Sequence, residues 1–161
     1  MPENDVASAA LSEATVFIKP KRARPFFGRH PWVLESAILR VDGKPASGAV
    51  VDVVTHDGNF IARGLWNASS RIRIRLYTFV ENEALDETFW RTRIENAISL
   101  RQHFGLHSEK GGCRLINSEG DSLSGIIVDQ YGSYLALQVT ALAMAERLDL
   151  ICDSLEHLLQ P

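Results

Sequence analysis

The chain has 161 residues, enough for one ordinary domain or two small ones, and its 45% hydrophobic and 23% charged residues are those of a globular protein. Its apolar runs are short and interrupted, which excludes a helix spanning a bilayer. The two cysteines, Cys113 and Cys152, stand far apart and outside any CxxC spacing, which argues against a disulfide scaffold or a thiolate metal site and fits a cytoplasmic location.

The formal net charge of -3 conceals two opposed halves. Between Thr15 and Val80 eleven basic residues face four acidic ones, a net of +7, whereas Glu81 to Pro161 carries six basic and thirteen acidic residues, a net of -7. Such a division predicts two units, the first with an affinity for polyanions. Ahead of that first unit, Met1 to Ala14 reads as a loose leader with no basic or apolar signal region. Thr15 to Ile18 is a short apolar strand, followed by the basic run Lys19-Pro-Lys-Arg-Ala-Arg24. A turn or short helix is expected over Pro25–Ser36, and strands over Ala37–Val41, Ala49–Thr55 and Phe60–Trp66. Asp42-Gly43 supplies one turn, and His56-Asp-Gly-Asn59 supplies a hairpin turn.

Arg71-Ile-Arg-Ile-Arg-Leu76 alternates with a period of two, which puts Ile72, Ile74 and Leu76 on one face of a strand and Arg71, Arg73 and Arg75 on the other. That arginine face suits phosphate contacts, and it equally suits solvation and protection of a sheet edge. Short strands punctuated by Gly, Asn and Asp turns predict a small barrel.

The second unit, 81–161, begins with an acidic linker and a helix N-capped by Asp86, expected to reach about Phe104 and stop at Gly105 with Trp90, Ile94, Ala97, Ile98 and Phe104 buried. Three strands follow, over Cys113–Asn117, Gly125–Asp129 and Tyr134–Thr140, with a polar loop from Ser118 to Ser124 between the first two. A last helix is expected to bury Met144, Leu148, Ile151, Leu155, Leu158 and Leu159. The order helix-strand-strand-strand-helix is an incomplete α+β pattern.

Gly28-Arg-His-Pro-Trp-Val33, Ala62-Arg63-Gly64 and Arg71-Ile-Arg73 together resemble the N-terminal PUA domain of a family of S-adenosylmethionine-dependent rRNA methyltransferases. That family includes bacterial 23S rRNA 5-methylcytosine methyltransferases. Arg114-Leu-Ile-Asn-Ser-Glu-Gly-Asp121, Leu123 to Asp129 and Tyr131-Gly132 are similar to its central domain. Ser122 and Ser124 stand where Gly and Pro are common in the family. The resemblance implies a PUA-like barrel over 15–80 that binds rRNA. It also implies that the S-adenosylmethionine domain with its catalytic cysteine lies outside these residues, because no glycine-rich strand-to-helix loop is present.

The expected RNA contacts are Lys19, Lys21, Arg22, Arg24, Arg29, His30, Arg71, Arg73 and Arg75. Trp32 reads as a core anchor more readily than as a base platform, and His30 as structural. No residue is assigned a catalytic or metal-binding role: His103 and His107 are four apart, but Gly105 interrupts their helix. Glu119, Asp121 and Asp129 read as a solvated turn. An adaptor that dimerises through its leucine-rich last helix is the alternative to an rRNA-binding front end.

Overall fold

The computed structural model describes residues 11–106 and 111–159. The first unit is a six-stranded sheet built from β1 (Ala14–Ile18), β2 (Trp32–Leu34), β3 (Ile38–Asp42), β4 (Val50–Val54), β5 (Phe60–Trp66) and β6 (Ile72–Thr78), with a four-residue helix α1 (Arg24–Phe27) after β1. Its strand order is β2-β6-β5-β4-β1-β3. β1 runs parallel to β4, and every other neighbour pair is antiparallel.

One short connection shows that the sheet is curled. β2 and β3 occupy opposite edges, yet only the single 3₁₀ turn Glu35–Ala37 joins them. A flat six-stranded sheet would hold its edges roughly 24 Å apart at about 4.8 Å per strand, beyond the roughly 10 Å that three extended residues cover. The edges therefore bend toward each other. Ala14, Val16, Ile18, Val33, Val51, Val53, Ile61, Ala62, Ile74 and Leu76 fill the concave side.

The second unit comprises α2 (Glu87–His103), β7 (Gly112–Asn117), β8 (Ile126–Tyr131), β9 (Tyr134–Val139), α3 (Leu142–Ala145) and α4 (Leu148–Leu159). β7, β8 and β9 form an antiparallel sheet in that order, and α4 packs on α2. Asp86 Oδ1 accepts the Phe89 N–H at 2.8 Å, so the expected N-cap holds, and Gly105 ends the helix with φ +64°.

Several expectations need correction. Pro25–Ser36, read as a turn or short helix, also contains β2, whose three residues are too few to show a periodicity. Phe104 lies beyond the last helical turn and is 66% exposed, while Phe89 on the first turn is buried. Met144 belongs to the separate short α3, Leu148 is exposed, and Ile151 and Leu155 are the buried residues of the apolar stripe on α4. Of the stretch read as a leader, residues 1–10 lie outside the described residues. Ser12 and Glu13 bond to β4: Ser12 Oγ donates to Asp52 at 2.9 Å and the Glu13 N–H to the Val50 carbonyl at 2.8 Å. His107 also lies outside the described residues.

Candidate nucleic-acid interface

The expected basic residues fall into two groups with different surroundings. Lys19, Lys21, Arg22, Arg24, Arg29 and His30 are on the loop after β1, on α1 and on the turn that follows it, and all six are exposed to solvent. Lys21 and Arg29, which bracket α1, both hold left-handed backbone, at φ 66° and 60°. Side chains with a Cβ occupy that region at a cost of about 1–2 kcal/mol. Lys19 Nζ donates to the Ser36 carbonyl at 3.0 Å. Arg29 stands 5.8 Å above the Phe79 ring, at the rim of a cleft of about 280 Å3 between the barrel and the second unit. His30 is held by its own turn, where its Nδ1 accepts the Trp32 N–H at 3.2 Å.

The arginines of β6 are placed differently. Alternation holds, with Ile74 and Leu76 inside the barrel, but the opposite face is not an open one. Only Arg71 is exposed there. Arg73 pairs with Glu35 at 2.7 Å and lies 5.5 Å above the Trp66 ring. Arg75 is turned toward the second unit, where its Nη1 donates to Glu119 at 3.0 Å and to Ser124 Oγ at 2.7 Å. A sequence period tells which face a side chain takes and nothing of what covers that face.

Arg75 belongs to a polar junction between the units that sequence reasoning misses. Trp32 Nε1, from β2, donates to Glu119 at 2.9 Å and to Ser124 Oγ at 3.3 Å. Tyr77 Oη donates to the Ser124 carbonyl at 2.7 Å, and its ring meets that of Trp90 edge to face at 4.8 Å. Burial opposes the charge on Glu119. Hydrogen bonds from Ser124, Ser118, the backbone and Trp32 outweigh that cost and hold the carboxyl at about 2. Burial pushes the Tyr77 phenol upward, although Arg75 and Arg147 oppose it. Trp32 is thus an anchor, but at the junction of the units rather than within either core.

The carboxylates read as a solvated turn are each tied to an arginine. Asp121 is 6% exposed and takes both guanidinium nitrogens of Arg101 on α2. Asp129 takes Arg114 at 2.9 and 3.1 Å. These pairs fix the Ser118–Ser124 loop that carries Glu119. No cluster of three metal-ligating side chains occurs among the described residues. Ser122 lies in that loop at φ 59°, where a glycine would be unstrained. Replacing Ser122 with Gly is expected to raise stability by up to about 1 kcal/mol, readable as a higher urea midpoint; a lower midpoint would refute the strain argument.

Comparison with known proteins follows the same division. Residues 16–79 match the family model of a PUA-like domain. The first unit is a PUA-like domain. Over 124 residues, 76% of this chain, the sequence is 42% identical to ribosomal RNA large subunit methyltransferase I of Shewanella amazonensis, of which the match covers 31%. Over 137 residues, 85% of the chain, it is 34% identical to the protein of the same name from Klebsiella pneumoniae, of which the match covers 34%. The chain therefore spans about a third of the length of the curated relatives it matches. Among solved structures, a protein from Streptococcus mutans described as a SAM-dependent methyltransferase superposes with a TM-score of 0.71 at 16% identity, over 89% of this chain and 37% of that one. A methyltransferase complexed with SAH gives 0.69 at 18% identity, over 89% and 36%. These two likenesses speak for the fold. Both kinds of match extend past the PUA-like domain into the second unit.

Proposed function

We propose that this chain binds rRNA through the exposed basic surface of its PUA-like domain, as the front part of an rRNA methyltransferase-like protein. The observation that carries the reading is the 42% identity to an rRNA large subunit methyltransferase over three quarters of the chain. The row of cations around α1 supplies the physical means. Lys21, Arg22 and Arg24, with Lys19 and Arg29 beside them, neutralise phosphates and set register without reading sequence. Arg71 and His30, both exposed, are further proposed contacts. Arg73 and Arg75 serve it indirectly, since their partners Glu35 and Glu119 are within the fold.

This reading places the S-adenosylmethionine crevice outside the described residues. β7, β8 and β9 are antiparallel, and no parallel strand-loop-helix crossover is present among them to form one. In this reading, methyl transfer to an rRNA cytosine belongs to other parts of the relatives' longer chains, and the residues here deliver RNA. The stripe on which the dimerising-adaptor alternative rests is covered in part: Ile151 and Leu155 are buried, Leu158 and Leu159 pack half-buried against the same core, and Leu148 is exposed.

A titration of the chain against rRNA fragments at several salt concentrations tests the proposal. Changing Lys21, Arg22 and Arg24 together to Gln should weaken binding and reduce the slope of log affinity against log salt by about 0.7 for each single-strand phosphate no longer neutralised. An unchanged affinity and slope would remove the α1 surface from the interface.

A further inference from the structure

A pocket of about 270 Å3 opens between α1 and the turn joining β4 to β5, lined by Lys19, Lys21, Arg24, Phe27, Thr55 and Asp57 among others. Phe26 packs into the barrel core, but its neighbour Phe27 is 65% exposed and presents its ring beside the cations. Across the pocket Asp57 is fixed by its own turn: Thr55 Oγ1 donates to Oδ1, and Asn59 Nδ2 donates to Oδ2 at 3.1 Å. Its carboxyl lies below the usual range, first through the Thr55 hydrogen bond. An ionised carboxylate offers about four acceptor sites; Oδ2 takes the Asn59 donor, while Oδ1 takes Thr55 and stands beside His56. His56 Nδ1 lies 3.3 Å from Oδ1 and is the contact a ligand donor would displace. Lys21, at the rim, holds a left-handed backbone, and such strain in a non-glycine residue gathers at ligand sites.

Resting on the RNA-binding reading, we propose that this pocket holds one unpaired guanine nucleotide of the bound RNA. The base stacks on Phe27, the phosphate lies against Lys21 and Arg24, and Asp57 accepts from the base edge. Stacking on an aromatic ring tolerates any base. The carboxylate supplies the selection, because guanine alone presents a ring N–H and an adjacent exocyclic amine on one edge. Adenine and cytosine present only the amine there, and uracil only the ring N–H.

The test is an NMR titration of the chain with 5′-GMP, set against AMP, CMP, UMP and inorganic phosphate at equal ionic strength. GMP should move the amides of residues 19–27 and 55–59 at the lowest concentration. Phe27→Ala should weaken GMP about tenfold and Phe27→Tyr should restore it, while Asp57→Asn should reduce GMP to the level of AMP. Both positions are exposed, so a thermal melt of each variant confirms that the fold is kept. Equal shifts for all four nucleotides and phosphate, or a Phe27→Ala variant that binds GMP normally, overturns the proposal. Salt-dependent rRNA binding that persists in such a case leaves the broader RNA-binding reading standing; absence of rRNA binding with GMP still seated at Phe27 has the reverse meaning.

Discussion

Arg63→Ala is expected to destabilise the protein by about 3–5 kcal/mol, the cost of breaking a buried ion pair from one side. Arg63 is 2% exposed in the middle of β5. Its Nε and Nη2 meet Asp52 Oδ1 and Oδ2 on β4 at 2.7 and 3.3 Å, and its Nη1 donates to the Glu83 carbonyl in the segment leading to α2. One guanidinium thereby ties two strands of the PUA-like domain to the start of the second unit. Without it Asp52 keeps, among the described residues, only the Ser12 hydroxyl as a side-chain partner, and the Glu83 carbonyl is left without that donor. Arg63→Lys should fall between wild type and Ala, since an ammonium keeps the charge but lacks the planar fork. Arg63→Met combined with Asp52→Leu should recover part of the loss, because it removes both charges together. Urea denaturation measures the series. An alanine variant within about 1 kcal/mol of wild type would show that the pair does no more than a surface salt bridge.

The next residue gives the second large effect. A Cβ at Gly64 would run into the Arg75 carbonyl oxygen and come within 2.8 Å of Ile74 Cγ2 on β6. The register of β5 against β6 shifts between Arg63 and Gly64, so the strands come close at an irregularity where glycine leaves room. Gly64→Ala should cost about 3 kcal/mol, at the upper end of overpacking. Amide hydrogen exchange should show protection weakening first along β5 and β6, and wild-type protection there would refute the close-approach argument. Arg63 and Gly64 thus owe their place in the Ala62-Arg63-Gly64 motif to construction of the barrel rather than to contact with RNA.

Local order is largely legible in the sequence. The turn at His56–Asn59, the Asp86 cap, the alternation in β6 and the helical stripe through Trp90, Ile94, Ala97 and Ile98 depend on neighbours a few residues away, and the structure contains them. Three-residue β2 is too short for a period to register, and Phe104 continues the periodicity of a helix that ends before reaching it. The candidate site is legible only as charge. The sequence points to Lys21, Arg22 and Arg24, but the same count includes Arg73 and Arg75, whose acidic partners lie 38 and 44 residues away in sequence. Ser124 shows how a departure from a family pattern gains meaning once folded: its hydroxyl accepts from Arg75 and Trp32 and donates to Glu119, which a proline could not do. Phe27 and Asp57 carry no signal, since one apolar residue on a short helix and one acid in a turn are ordinary until a pocket brings them together.

The strand order also bears on how the protein is made. β2 leaves the ribosome before β6, yet β6 is its ladder partner, with Val33 opposite Ile74, and the Trp32 indole finds Glu119 only 87 residues downstream. Completion of the curled sheet must therefore wait for nearly all of the PUA-like domain to be synthesised, and the junction must wait for the loop beyond β7. Pairings of such long sequence separation form slowly. Until they form, the apolar side of β1 and the unpaired edge of β2 stay open to other chains, so slow folding and early aggregation should both be sensitive to any change that delays β6.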